Sequence, residues 1–76
     1  MFDRITFDPA VMGGRACVRG MRMTVSLVVN LVANGMSPDG ILREYPELER
    51  EDVRQCLQYA PALADEEIGF FRNPAA

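Results

Sequence analysis

The sequence GMSPDGILREYPELEREDVRQCLQY, residues 35–59, predicts two short amphipathic helices joined by a tight turn. Ser37 is a good helix N-cap, because its hydroxyl can accept a hydrogen bond from an amide of the first turn, and Pro38 fits the first helical position. Pro46 ends this helix, since proline has no amide hydrogen and disfavours α geometry at the preceding residue. Two such helices form a helix-turn-helix candidate, a unit that often places its second helix in a DNA groove.

The apolar residues of these helices follow helical spacing. The first helix has one apolar face, formed by Ile41, Leu42 and Tyr45. The second begins near Arg50, extends to residue 60 before Pro61, and carries its apolar side on Val53, Cys56, Leu57 and Ala60.

A small β-hairpin is predicted before the helices. Residues 5–7 and 16–18 are β-prone triplets, and Gly13-Gly14 between them predicts a turn. We expect Phe7 and Val18 to face a shared interior, since so short a hairpin must pack on something.

Another helix is predicted from Val25 to Asn34, with Thr24 as its N-cap and Gly35 as its left-handed C-cap. It is apolar nearly all round. A chain of 76 residues has little material to cover such a helix. We therefore expect it to lie in the interface of a homodimer.

Length and composition indicate one folded domain, 1–76, divided into a hairpin arm (1–23), a helical core (24–60) and a C-terminal helix or tail (61–76). The net charge of −3 argues against a simple nucleic-acid binder. The charge is uneven, however: residues 1–36 carry four arginines and two acids, and residues 37–76 carry four arginines and nine acids.

The sequence argues against catalysis and against a bound cofactor or metal. It has no histidine, and Cys17 and Cys56 lack metal-site spacing. Both cysteines are most simply core residues in a reducing compartment. No signal peptide is visible, and the apolar run from Val25 to Ala33 is too short to span a bilayer. We expect a cytoplasmic protein with no membrane role.

Three sets of residues are candidates for binding DNA or a partner. The hairpin carries Arg15, Arg19 and Arg22, which could meet a duplex or an acidic partner, or could form a solvated rim that pairs with the acidic helices. The outer face of helix 50–60 carries Arg50, Arg54, Gln55 and Gln58, types of side chain that read guanine and adenine edges. The third set is Phe70 and Phe71 in the tail, which need a groove on the same dimer or on a partner.

The recognition-helix interpretation has a competitor. The acids at the start of that helix suit the helix dipole but would repel phosphate at the end that normally approaches bases. A packing helix with a polar outer side is an equally good interpretation. These acids are Glu47, Glu49, Glu51 and Asp52.

Taken together, the motifs resemble the domain of unknown function 433 family over residues 5–60. The resemblance rests on residues 13–23 (GGRACVRGMRM), on Gly35-Met36-Ser37, and on Tyr45-Pro46 with Asp52-Val53 further on. Met21 stands where the family has threonine, and Glu49 replaces its usual threonine cap.

The resemblance implies a mainly α fold: a short N-terminal β-hairpin followed by a three- to four-helix bundle of homeodomain-like or winged helix-turn-helix type. It also implies a bacterial antitoxin of a toxin–antitoxin system, encoded beside a nuclease-like toxin. Our leading hypothesis is a dimeric helix-turn-helix protein that binds a cognate toxin, with its own promoter DNA as a further candidate partner. The alternative is an acidic protein-interaction module with no nucleic-acid role.

Overall fold

The chain is mainly helical, with a short hairpin and three α-helices. A computed structural model describes the backbone of residues 2–71 and the side chains of residues 2–63. The hairpin strands are β1 (Ile5–Thr6) and β2 (Cys17–Val18), with one turn of 3-10 helix at Met12–Gly14 between them. The helices are α1 (Val25–Ala33), α2 (Pro38–Glu44) and α3 (Arg50–Phe71).

The predicted helix caps are confirmed. The hydroxyl of Thr24 accepts a hydrogen bond of 3.2 Å from the amide of Leu27, and that of Ser37 accepts one of 3.0 Å from the amide of Gly40. Each bond satisfies an amide that has no partner inside its helix. The α1 helix ends one residue earlier than predicted, and Gly35 follows in the expected left-handed conformation.

The two strands pair antiparallel, with Ile5 opposite Val18, and the chain then reverses again at once. Arg19 and Gly20 have φ angles of 46° and 73°, which places two consecutive residues in the left-handed region, as in the turns of tight hairpins. This turn is closed by a 2.8 Å hydrogen bond from the amide of Met21 to the carbonyl of Val18. It fixes the position of the Arg19 side chain relative to the helices.

The core lies where the hairpin, α1 and α3 meet. Ile5 and Val18 enter it from the hairpin, and α1 packs mainly against α3. Burying aliphatic side chains of this size stabilises the fold by about 1.5–3 kcal/mol each. The fully buried members on the helices are Val25, Val28, Ile41, Val53 and Cys56.

One expectation about burial is wrong. Phe7 does not share the interior with Val18: β1 ends at Thr6, and Phe7 is 57% exposed and packs on Tyr59. On α1, Val25 and Val28 are buried while Leu27 remains 37% exposed, so the single chain leaves part of this apolar helix uncovered. Its burial in a homodimer interface stays a prediction.

The last helix continues past Pro61. The sequence left a C-terminal helix or a tail open for residues 61–76, and the α geometry extends through Pro61 to Phe71. Proline removes one backbone hydrogen bond from a helix interior, and Pro61 lies on the exposed side, where water can hydrate the carbonyl left without a donor. Among the described residues, no helix combines the length and the apolar character needed to cross a bilayer.

Candidate functional site

The start of α3 is closed by its own acidic residue. The carboxylate of Asp52, in the first turn, accepts a 2.8 Å hydrogen bond from the backbone amide of Glu49, which precedes the helix. This is the reciprocal half of a capping box. The Glu49 carboxylate, which replaces the family's usual threonine hydroxyl, turns away and binds the guanidinium of Arg4 at 2.7 Å.

Asp52 is also the centre of a buried charge cluster. Its side chain has no exposed surface. Arg19 binds it with two donors, Nε at 3.0 Å from Oδ1 and Nη2 at 2.8 Å from Oδ2, and Arg4 adds Nη1 at 3.0 Å from Oδ1. A bidentate arginine and a second guanidinium are what a fully desolvated carboxylate needs to remain ionised.

The pKa of Asp52 reflects two opposing effects. Burial alone would raise it, because desolvation penalises the charged form. Hydrogen bonds from Arg19, the Glu49 amide and Arg4 outweigh burial and hold the pKa below its ordinary value. The same pairs raise the pKa values of Arg4 and Arg19, so the cluster is ionised at neutral pH.

Further hydrogen bonds join the hairpin to the same end of α3. The backbone amide of Arg4 donates to Oε1 of Gln55 at 3.0 Å, and Nε2 of Gln55 donates to Asp3 at 2.7 Å. Arg19 Nη2 also donates to the Glu47 carbonyl at 2.9 Å, just before the helix. We call Arg4, Arg19, Glu49, Asp52 and Gln55 the hairpin–helix network.

Several of the side chains predicted to bind DNA or a partner are hydrogen-bonded or ion-paired to other residues of the chain. Gln55 was expected on the outer face of its helix, and this placement is wrong: it is 4% exposed and both ends of its amide are hydrogen-bonded. Arg19 is held by Asp52, Arg50 pairs with Asp39, and Arg54 pairs with Glu51.

The other predicted residues are placed differently. Arg15, Arg22 and Gln58 are exposed, and they form no ion pair or hydrogen bond with the side chains described between residues 2 and 63. The side chains of Phe70 and Phe71 lie outside the described residues. The seven predicted residues of the hairpin and α3 therefore do not form one continuous patch of unpaired side chains.

Sequence reasoning missed Asp52 and Arg4 as partners. One available signal was an acid at the third position of α3, because an acid there commonly reaches back to the amide before the helix. An aromatic cluster was also missed: Phe2 packs edge-to-face on Tyr59 with ring centroids 5.4 Å apart, and Phe7 lies 6.2 Å from the same ring.

The described residues contain no group of three or more metal-ligating side chains. Both cysteines are free thiols and buried. Burial, followed by the nearby charge of Asp52, raises the pKa of Cys56 to about 12, which keeps this thiol protonated at neutral pH.

Comparisons with known proteins identify one family. Residues 5–60 match the DUF433 family, described as protein of unknown function. The uncharacterized protein y4eO of Sinorhizobium fredii (strain NBRC 101917 / NGR234) is 38% identical over 58 residues, which are 76% of this chain and 26% of that protein. The chain thus spans about a quarter of the length of this curated relative.

A solved structure agrees with this result. The crystal structure of a DUF433 member from Anabaena variabilis ATCC 29413 superimposes with a TM-score of 0.75 at 31% identity, over 88% of this chain and 69% of that one. The family match covers most of the chain, including the hairpin strands and the start of α3. The chain therefore belongs to the DUF433 family.

Proposed function

We propose that this protein is a protein-interaction module of antitoxin type, which binds a cognate nuclease-like toxin and does not use α3 to read DNA. The observation that carries this proposal is the hairpin–helix network. It occupies the first turns of α3, where a recognition helix usually contacts base edges. The face of α3 that carries Asp52 and Gln55 is covered by the hairpin, so these two side chains are not available to base edges.

Charge supports the same proposal. The chain carries a net charge of −3, and Arg50 and Arg54 on α3 are each neutralised by a carboxylate. A duplex binder gains affinity from unpaired cations that replace the counterions of phosphate. An acidic surface suits a basic, nucleic-acid-binding enzyme better, because it can cover the surface that the enzyme uses for its substrate.

We infer that α2 and α3 form a helix-turn-helix unit of homeodomain-like type whose role here is architectural. The five-residue connection and the Pro46 stop support this assignment. In the proposed module the unit presents a surface to a protein. A cytoplasmic location without a membrane contact belongs to the same proposal.

The experiment is coexpression of this chain with the product of the gene next to its own. We expect the two proteins to elute together from a size-exclusion column, with a light-scattering mass equal to a defined complex. Adding nuclease during purification should leave the complex intact. Separate elution of two folded proteins would contradict the proposal.

A second candidate function is promoter binding by a homodimer. It is favoured by Arg15 and Arg22, which are exposed on the hairpin side and have no carboxylate partner among the described side chains. A dimer would double this set, and the exposed Leu27 on α1 offers an apolar contact for it. Light scattering of the isolated protein at micromolar concentration tests the dimer. A double substitution, Arg15→Ala with Arg22→Ala, tests the contribution of the hairpin arginines to DNA affinity.

A further inference from the structure

An exposed aromatic surface lies where the residues flanking β1 meet the middle of α3. Phe2 and Phe7 flank β1, and both rings pack on Tyr59 in the middle of α3. Phe2 remains 39% exposed and Phe7 57% exposed. They are two of the four large apolar side chains that are exposed in the described part of the chain.

Each of these phenylalanines is followed by an aspartate. The dipeptide Phe-Asp occurs at residues 2–3 and again at residues 7–8. Asp3 and Asp8 are exposed, and neither has a guanidinium within ion-pair distance among the described side chains. Arg54 is close enough to feel the charge of Asp3, but its hydrogen bonds go to Glu51.

The two carboxylates make hydrogen bonds that do not neutralise them. Asp3 accepts a hydrogen bond from the side-chain amide of Gln55, and Asp8 accepts one from the backbone amide of Ala10. The surface therefore combines exposed aromatic rings with two carboxylates that have no ion-pair partner among the side chains of residues 2–63. Aromatic faces and carboxylates both attract guanidinium and ammonium groups.

We propose that Phe2, Phe7 and Tyr59, with Asp3 and Asp8 at their rim, form the docking surface for a basic segment of the protein partner, rich in arginine and apolar side chains. This inference rests on the proposed function and adds where the partner binds and what its chemistry is. We name this set the Phe-Asp surface. A phosphate backbone is repelled by its carboxylates, and a second copy of the chain brings another net charge of −3.

The test uses a fluorescein-labelled peptide of repeated Arg-Leu-Gly triplets, compared with the matching Glu-Leu-Gly peptide. Anisotropy at low salt should show binding of the arginine peptide and none of the glutamate peptide. In an NMR spectrum of the aromatic side chains, the signals of Phe2, Phe7 and Tyr59 should shift when the arginine peptide is added.

Two pairs of variants locate the binding. Phe7→Ser should weaken peptide binding about fivefold or more, because it removes the most exposed ring. Its control is Leu27→Ser, which removes another large exposed apolar side chain, on α1.

The double variant Asp3→Asn with Asp8→Asn keeps hydrogen-bond acceptors but removes both charges. Its control, Glu44→Gln with Glu47→Gln, makes the same change of net charge elsewhere. Thermal unfolding of each variant verifies the fold.

Weaker binding in both Phe-Asp variants and unchanged binding in both controls would support the surface. Equal loss in the controls or no peptide binding would overturn it. So would a self-association that Phe7→Ser abolishes. If the coexpressed complex forms and survives Phe7→Ser and the double aspartate variant, the proposed function stands and the Phe-Asp surface is refuted.

Discussion

Arg19 and Asp52 form a two-point ion pair that joins the turn after β2 to the first turn of α3. The donors of Arg19 lie 3.0 and 2.8 Å from the two carboxylate oxygens, and the carboxylate has no exposed surface. Arginine is uncommon in the left-handed region, yet Arg19 has a φ of 46°. The backbone turn and the ion pair therefore support each other, and both hold the hairpin against α3.

Replacing the buried carboxylate should destabilise the protein strongly. Asp52→Ala leaves two arginines without their shared partner and removes the cap bond to Glu49, so we expect a loss of about 3 kcal/mol in unfolding free energy. The measurement is urea unfolding followed by circular dichroism. The control is Asp39→Ala, which breaks an exposed pair with Arg50 and should leave the midpoint nearly unchanged. Similar effects of the two substitutions would contradict a special role for Asp52.

Stability should fall in acid. The pKa of Asp52 is lowered below its ordinary 3.8 in the folded chain, so its contribution is complete above that value and is lost as pH falls toward the folded pKa. Glu51 acts in the same direction, because Arg54 and then Gln55 lower its pKa to about 2. The urea midpoint should stay level down to about pH 5 and drop below about pH 4. Asp52→Asn should show a shallower acid drop; an identical profile would refute the assignment.

Arg19, in the turn after β2, and Arg22, just beyond it, should contribute differently to stability. Arg19→Asn keeps a residue type that tolerates the left-handed conformation but removes the guanidinium, so the urea midpoint should fall. Arg22→Asn should leave the midpoint unchanged, because Arg22 has no partner among the described side chains. Equal stability of the two variants would show that the Arg19 pair contributes nothing measurable.

The Cys56 thiol should be inert while the protein is folded. Its pKa is raised to about 12 and its side chain is fully buried, so both thiolate formation and reagent access are suppressed. In a Cys17→Ser background, iodoacetamide at about pH 8 should label Cys56 about a hundredfold more slowly than in urea. Mass spectrometry measures the extent of labelling over time. Rapid labelling of the folded protein would contradict this burial.

Local signals in the sequence predicted much of the fold. Thr24, Ser37 and Pro38 specify helix starts through bonds that form within one turn, and these elements appear where expected. The end of α3 could not be decided from the sequence, because Pro61 stops many helices but an exposed proline can also be tolerated within one. Phe7 was misplaced because the strand before it is only two residues long, too short for alternation to decide its side.

The site was less predictable than the fold. Arg4 and Asp52 are separated by 48 residues, and neither shows in the sequence that the other will be its partner. Gln55 looked like a surface residue because it is polar, but it is buried, and Asp3 and Arg4, just before β1, hydrogen-bond to its side-chain amide. Such burial depends on where the hairpin docks, which helical periodicity alone does not specify.

DNA binding by the wild type and by a variant of α3 decides whether this helix reads DNA. A labelled duplex from upstream of the protein's own gene, and a scrambled duplex, are titrated with the wild type and with Arg54→Ala while anisotropy is followed at low and at physiological salt. We expect the two duplexes to bind equally weakly and Arg54→Ala to change neither affinity. Tight, salt-sensitive binding to the native duplex alone, lost in Arg54→Ala, would mean that α3 reads DNA and would contradict the proposed function.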